Sequence, residues 1–309
     1  MTIAICTWNR AAYLRECVLS VLQDCRSLPG PWEVMVVDNG STDETAHVLS
    51  ELSAQPGVTT LRESRRGLSH ARNTAVAHAR GKIVVFLDDD VLVPSGYAQA
   101  IRAAFDVQAA DIVGGPVLPR WESRPPFWFT PGYYGVLGLL PNLQLVEGRG
   151  YPRIFGANMA FRREVLAGLG DAPFSPKLGR SGTRLLGGEE SLLISNLHQR
   201  GTKVVFAEHA LVYHRVPAHR LTIGYFLRYM YDGGRSDGRE WQIRTGEVKL
   251  PRWVIGELIE RAVEVPLYLC LGRPTDCVAS LLRFSWRLGR VVEYVQTRFR
   301  RRESKTHHG

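Results

Sequence analysis

Three aspartates in a row, Asp88-Asp89-Asp90, follow the apolar run Ile83-Val84-Val85-Phe86-Leu87. Adjacent like charges repel, and an isolated carboxylate is costly to bury. A run of this kind suits a hard divalent cation, which takes oxygen ligands. Along an extended chain alternate residues point the same way, so Asp88 and Asp90 can face one ligand while Asp89 faces elsewhere. A solvated turn can also carry such charges. The apolar run before them instead puts them at the edge of a buried strand. His214 follows a second apolar run, Leu211-Val212-Tyr213, and one imidazole can complete a carboxylate shell around Mn²⁺ or Mg²⁺.

Three further clusters carry polar chemistry. Thr7, Asn9 and Arg10 follow the apolar start Thr2–Cys6, where small polar groups can hold a nucleotide or simply form a turn capped by Asn9. Asp38 ends the run Trp32–Val37 and precedes Asn39-Gly40-Ser41-Thr42-Asp43-Glu44. A turn feeding a capping box, with Ser41 and Glu44 as its partners, accounts for that stretch but leaves Asp38 without a role. A carboxylate at such a strand end can accept hydrogen bonds from a base or ribose. Gly187-Gly188-Glu189-Glu190 opens a helical pattern. Acids there favour the helix dipole, and either can also serve as a general base.

These residues sit in a regular alternation. Strand-like runs at 2–6, 32–38, 58–61, 82–88 and 111–118 are separated by helical patterns at about 11–25, 68–79 and 94–105 and by a helix expected to start at the 41–44 box. Such βαβ units predict a Rossmann-like, mainly parallel sheet flanked by helices, with ligands at the carboxyl ends of the strands. Residues 119–150, rich in Pro, Gly and aromatics, predict an irregular insertion. A strand at 158–162, a helix at 189–200 and two short strands follow. The remaining third reads as helical and basic.

Composition narrows the class. The chain has 309 residues, 45% hydrophobic and 22% charged, as expected of a folded protein with a real core. A net charge of +9 favours anionic partners. The charge is concentrated late and no recognition motif accompanies it, which argues against nucleic acid. No GxGxxG follows the first strand, which argues against a dehydrogenase. Five cysteines without a CxxC pair predict free thiols in a reducing, cytoplasmic setting. No signal peptide and no membrane-spanning run is legible, so at most peripheral attachment to the inner face of a membrane is expected.

Taken in order, Ile3-Ala4-Ile5-Cys6-Thr7-Trp8-Asn9-Arg10, Val36-Val37-Asp38-Asn39-Gly40-Ser41-Thr42-Asp43, Gly67-Leu68-Ser69-His70-Ala71-Arg72-Asn73 and Phe86-Leu87-Asp88-Asp89-Asp90 resemble the family 2 glycosyltransferases of GT-A fold. Gly156-Ala157-Asn158-Met159 and Gly187-Gly188-Glu189-Glu190 extend the likeness, which covers about residues 1–215. The resemblance implies a metal-dependent, inverting, hexosyltransferase-type enzyme using a nucleotide-diphosphate-sugar, with a UDP-sugar as the expected donor. It implies a glycan or lipid-linked acceptor, in bacterial-type cell-surface polysaccharide or glycolipid synthesis. Asp38 would bind the base, and Thr7, Asn9 and Arg10 would line the nucleotide pocket. Arg72 would lie beside the diphosphate, and Asp88, Asp89 and Asp90 would serve ribose and metal. Gly156, Ala157 and Asn158 would approach the donor sugar. Glu190 would be the base, with Glu189 as the other candidate. A sugar-nucleotide-binding scaffold of the same fold is the alternative, and retention of both acidic motifs argues against it. The expected domains are a catalytic domain over 1–215, with halves 1–118 and 119–215, and a helical extension over 216–309.

That extension carries Cys277, Leu281, Phe284, Leu288, Val291 and Val295 at helical spacing, with Arg283, Arg287 and Arg290 on a second stripe and the basic run Arg298-Phe299-Arg300-Arg301-Arg302 beyond. Residues 275–305 therefore predict either an anionic membrane contact or a helix packed on the protein with solvated arginines.

Overall fold

The computed structural model describes residues 1–176, 188–246, 250 and 252–306. The strands are β1 (Thr2–Thr7), β2 (Glu33–Asp38), β3 (Val58–Arg62), β4 (Ile83–Asp88), β5 (Val91–Leu92), β6 (Ile112–Gly114), β7 (Val117–Trp121), β8 (Asn158–Arg162), β9 (Val204–Phe206) and β10 (Val212–Val216). The helices are α1 (Ala11–Cys25), α2 (Thr45–Ser53), α3 (Leu68–His78), α4 (Tyr97–Asp106), α5 (Arg163–Ala167), α6 (Glu189–Gln199), α7 (Ile223–Thr245), α8 (Arg252–Cys270) and α9 (Pro274–Thr306).

The described chain forms two compact units. The first holds Met1–Arg120, 137–176 and Glu189–Val216. Its main sheet runs β3-β2-β1-β4-β8-β6-β9, parallel except for β8, which pairs antiparallel with β4 and β6. The inner strands are apolar on both faces because helices cover both sides: Ile3, Ala4, Ile5, Val34, Val36, Val84 and Val85 are inaccessible to solvent. Phe86, Phe161 and Phe174 meet edge-on beneath the strand ends, with ring centroids 5.2–6.3 Å apart. A smaller sheet, β5-β10-β7, lies beyond the aspartate run.

Local rules were overridden in two places. The Ser41–Glu44 capping box does not form. Helix α2 begins at Thr45, the N-cap residue Glu44 makes no capping bond with its side chain, and Asp43 accepts from the Thr45 amide instead. Ser41 is drawn away by tertiary partners: its hydroxyl accepts from the Asn9 amide and its own amide donates to Asp38. Helix α4 is capped from a distance, since buried Asp24 of α1 accepts from the amides of Gly96 and Ala98. All five cysteines are free thiols, and burial pushes those of Cys6 and Cys25 up to about 12.

The second unit holds Trp121–Val136 and 217–306. Within it Trp128, Phe129, Tyr133 and Phe226 form an edge-to-face aromatic cluster, with Trp128 and Phe226 centroids 5.0 Å apart. Gly233 and Gly234 lie inside α7 rather than in a turn. They let α7 approach α9 so closely that a Cβ on Gly234 would fall 1.9 Å from the Trp286 carbonyl oxygen. Gly289 of α9 is as tightly held against Tyr231. Buried Glu293 accepts from Arg235 and Arg239 across the same contact, and Arg290 pairs with Asp237. Helix α9 buries Val278, Leu282 and Tyr294, which lie beside the expected stripe; within the stripe residues Arg290 is buried, Cys277, Leu281, Phe284, Leu288 and Val291 are half-buried, and Val295 is exposed.

Candidate active site

Three strand ends build the floor. In the β1–β2 register Thr7 faces Asp38, and in the β1–β4 register Cys6 faces Asp88, so the polar residues after each apolar run emerge side by side. The Thr7 hydroxyl donates to Asp89 Oδ2 at 2.7 Å. Asp89 is thus turned into the protein, away from the face its two neighbours share. Burial, reinforced by the charge of Asp90, raises its carboxyl to about 7, against the opposing pull of Arg10 and Thr7.

Asp88 and Asp90 converge with His214. Strand β5 pairs antiparallel with β10, His214 opposite Val91, which brings the imidazole beside the aspartate run. His214 Nε2 lies 3.0 Å from Asp90 Oδ1, and Arg10 Nη1 lies 3.6 Å from Asp90 Oδ2. Asp90 is anchored through its backbone, whose carbonyl accepts from the Arg215 amide at 3.0 Å. The imidazole packs over Gly138, which has a left-handed φ of 70°. One ligand atom from each of Asp88, Asp90 and His214 lies within 4.8 Å of the others. Two carboxylates and an imidazole converging on one point are a fitting donor set for Mn²⁺ or Mg²⁺.

Arg72 forms the second half of the site. It sits on α3, is 3% exposed, and packs over the Phe174 ring at 5.5 Å. Its Nη1 donates to Glu189 Oε1 at 2.7 Å, and its Nη2 lies 3.8 Å from Asp88 Oδ1. Burial opposes the charge of Arg72, but Glu189, Glu190 and Asp88 outweigh it and raise its pKa. Gly156 makes this position possible, because a Cβ there would fall 2.4 Å from Arg72 Nη2. Glu189 is buried with Arg72, whereas Glu190 in the same first turn of α6 is partly exposed.

Asp38 is buried at the end of β2, where its Oδ1 accepts from the Ser41 amide. Asn9 adopts a left-handed φ of 53° and accepts from the Thr42 amide, so the first two strand-end loops are tied together. Asn39, passed over in the sequence as half of a turn, is a clamp. Its side chain donates to the carbonyls of Glu63 and Arg65 and accepts from the Gly67 amide, fixing the approach to α3. Nothing local in an Asn-Gly pair signals contacts so distant in sequence.

One expected ligand residue has a different place. Asn158 is fully buried and accepts from Tyr97 Oη while donating to the carbonyls of Pro116 and Ala210. Its side chain ties β8 to neighbouring segments rather than facing a donor sugar. Gly156 and Ala157 lie before it, Gly156 against Arg72 and Ala157 buried. Gly187 falls outside the described residues.

Comparison with known proteins agrees with this geometry. The family model described as "Glycosyl transferase family 2" matches residues 2–170. The chain belongs to glycosyl transferase family 2. It is 24% identical over 232 residues to a glucosyl-dolichyl phosphate glucuronosyltransferase of Haloferax volcanii, a match covering 71% of this chain and 70% of that one. Matches to other relatives span about half of their length or less. Among solved structures, a mannosyltransferase from Pyrobaculum calidifontis in complex with GDP-mannose and Mn²⁺ superposes with a TM-score of 0.58 at 22% identity, covering 96% of this chain and 74% of that one. Residues 1–349 of S. aureus TarS in complex with UDP superpose with a TM-score of 0.52 at 15% identity, covering 96% and 91%. At these identities the likeness establishes the GT-A fold.

Proposed function

We propose that this glycosyltransferase moves a sugar, with inversion, from a nucleotide-diphosphate-sugar to an acceptor hydroxyl in polysaccharide or glycolipid synthesis. The observation that carries the reading is the convergence of Asp88, Asp90 and His214 at the strand ends, with Glu190 in the first turn of α6 accessible in the same unit. Asp88, Asp90 and His214 would hold Mn²⁺ or Mg²⁺, which supplies positive charge to a diphosphate leaving group. Asp38, Thr7, Asn9 and Arg10 line the nucleotide side of the strand ends.

Glu190 is the proposed base. Glu189 is buried and its Oε1 accepts from Arg72, so that oxygen is committed within the protein rather than presented to an acceptor hydroxyl. Glu190 is closer to solvent and free to meet an acceptor hydroxyl. Arg72 holds Glu189 against the Asp88 side of the site and so positions α6. The name of the Haloferax relative supports a polyprenyl-phosphate-linked acceptor. The titles of the two structural neighbours support nucleotide donors, one GDP-linked and one carrying UDP, with a UDP-sugar the proposed donor here.

A panel of UDP- and GDP-sugars, assayed by thermal shift with Mn²⁺ and then for transfer to lipid-linked sugars, tests the reading. A true donor raises the melting temperature by linkage only when the metal is present. Stabilisation by no nucleotide-sugar, or stabilisation untouched by EDTA, counts against it.

A further inference from the structure

Helix α8 is inside out. Its inward side carries charge: Glu257 pairs with Arg287 of α9, and Glu264 accepts from Ser280 of α9 at 2.6 Å and from Arg261. Its outward side is apolar. Ile255, Ile259, Val263 and Leu267 recur every four residues, and Leu269 and Leu271 continue the patch to the helix end. Ile259 and Val263 are each 62% exposed and Leu269 is 69% exposed. Among the described residues of α8, Glu260 is the one charged side chain in the exposed class. A stripe of this extent exceeds the scattered apolar residues that monomers ordinarily show to water. No helix among the described residues is long and apolar enough to cross a membrane.

The charges around the stripe choose its occupant. The pairs 257–287 and 264–280 show that α8 and α9 run antiparallel, so the end of α9 extends past the start of α8. That end carries the basic run 298–302, in which Phe299 is 60% exposed. At the other end of the stripe Arg273, close after Leu271, is paired with Asp276 at 2.8 Å. An apolar helix face with a basic run at one end matches an anionic bilayer, where apolar side chains enter the acyl boundary and arginines meet phosphates.

We propose that the outward face of α8, from Ile255 to Leu271, lies in the interface of an anionic membrane, with the basic end of α9 alongside it. The proposed membrane-facing element is α8, whose apolar face is exposed along its length, whereas the α9 stripe that sequence spacing singles out is mostly half-buried.

Flotation of the full chain with vesicles of phosphatidylcholine, with and without phosphatidylglycerol, tests this. The vesicles contain no glycosyl donor or acceptor, so the result is independent of the reaction assigned above. The wild type should float with phosphatidylglycerol vesicles and lose affinity as salt rises. The double variant Ile259→Asp/Val263→Asp should bind about a hundredfold more weakly, roughly tenfold for each apolar side chain lost, with an unchanged melting temperature. If the aspartates disturb folding, Ile259→Ser/Val263→Ser serves instead and should weaken binding in the same direction. The Arg298→Gln variant should show a shallower salt dependence. Absence of wild-type binding at low salt overturns the proposal, as does wild-type binding by the folded double variants. A wild-type dimer that these variants dissociate would assign the face to a second copy and overturn it equally.

Discussion

Arg72 and Glu189 form a buried ion pair, 2.7 Å from Nη1 to Oε1, that joins a helix following the third strand to one that begins after residue 188. Removing one member leaves a charge without its partner in a dry site. Arg72→Met should cost about 3–5 kcal/mol in urea unfolding, whereas Arg72→Met combined with Glu189→Met should recover much of that loss. Additive losses in the double variant would mean that the two residues do not stabilise each other.

Glu189 and Glu190, adjacent in sequence, should fail differently. Glu190→Gln should lower transfer by about 10²–10⁴-fold with donor affinity kept, because only proton acceptance is removed. Glu189→Gln should lower the melting temperature first, by loosening Arg72. Turnover by Glu190→Gln at the wild-type rate would take it out of the role of base.

The cation site gives a direct binding readout. His214→Ala and Asp90→Asn should each weaken Mn²⁺ binding by on the order of 10–100-fold or more, measured by calorimetry without donor. Unchanged affinity in both variants would remove these residues as ligands.

Much of the candidate site was legible along the chain, because β1, β2 and β4 each end on a polar residue that the site gathers. Thr7, Asp38 and Asp88 are strand-end residues by alternation alone, and registers set by the parallel sheet align them. His214 was also legible, as a polar residue closing an apolar run. What stayed hidden depends on contacts between distant segments. The Ser41 cap was a sound local reading that lost to Asn9 and Asp38. Asn158 resembles a donor-binding residue by motif, yet three partners from separate segments enclose it. The apolar stripe of α9 was visible in the spacing, but the close approach of α9 to α7 depends on Gly233, Gly234 and Gly289, which local sequence does not mark as packing residues.

Asn158 therefore makes a prediction about stability rather than chemistry. Asn158→Ala leaves the Tyr97 hydroxyl and the Ala210 carbonyl without this partner, while the Pro116 carbonyl keeps the Val212 amide, and should cost about 1–3 kcal/mol. Donor affinity of the folded variant, measured at a temperature well below its melting point, should match wild type. A large loss of affinity with unchanged stability would return it to the donor site.

Glu63 should make acid stability pH-dependent. Its hydrogen bonds from Arg65, and then from Thr74, depress its pKa from 4.5 to about 2. A carboxylate whose folded pKa is depressed stabilises the fold above its unfolded pKa, and that contribution fades as pH falls from about 4.5 towards 2. Arg65 is 66% exposed, so water screens the pair and reduces the contribution. Unfolding of Glu63→Gln followed across this range should show a correspondingly flatter pH profile. An identical slope in both proteins would contradict the assignment.

The narrow gap between Gly156 and Arg72 constrains how this sequence can change over time. A methyl group at 156 would overlap the guanidinium, whereas a shorter residue at 72 would leave room for it. A side chain at 156 is therefore accommodated most readily once position 72 has shortened. In the reverse order the Arg72 guanidinium has to shift from its place between Glu189 and Asp88. Among descendants of this chain the two positions should drift as a pair, and a library randomising both should recover combinations that neither single-site library contains.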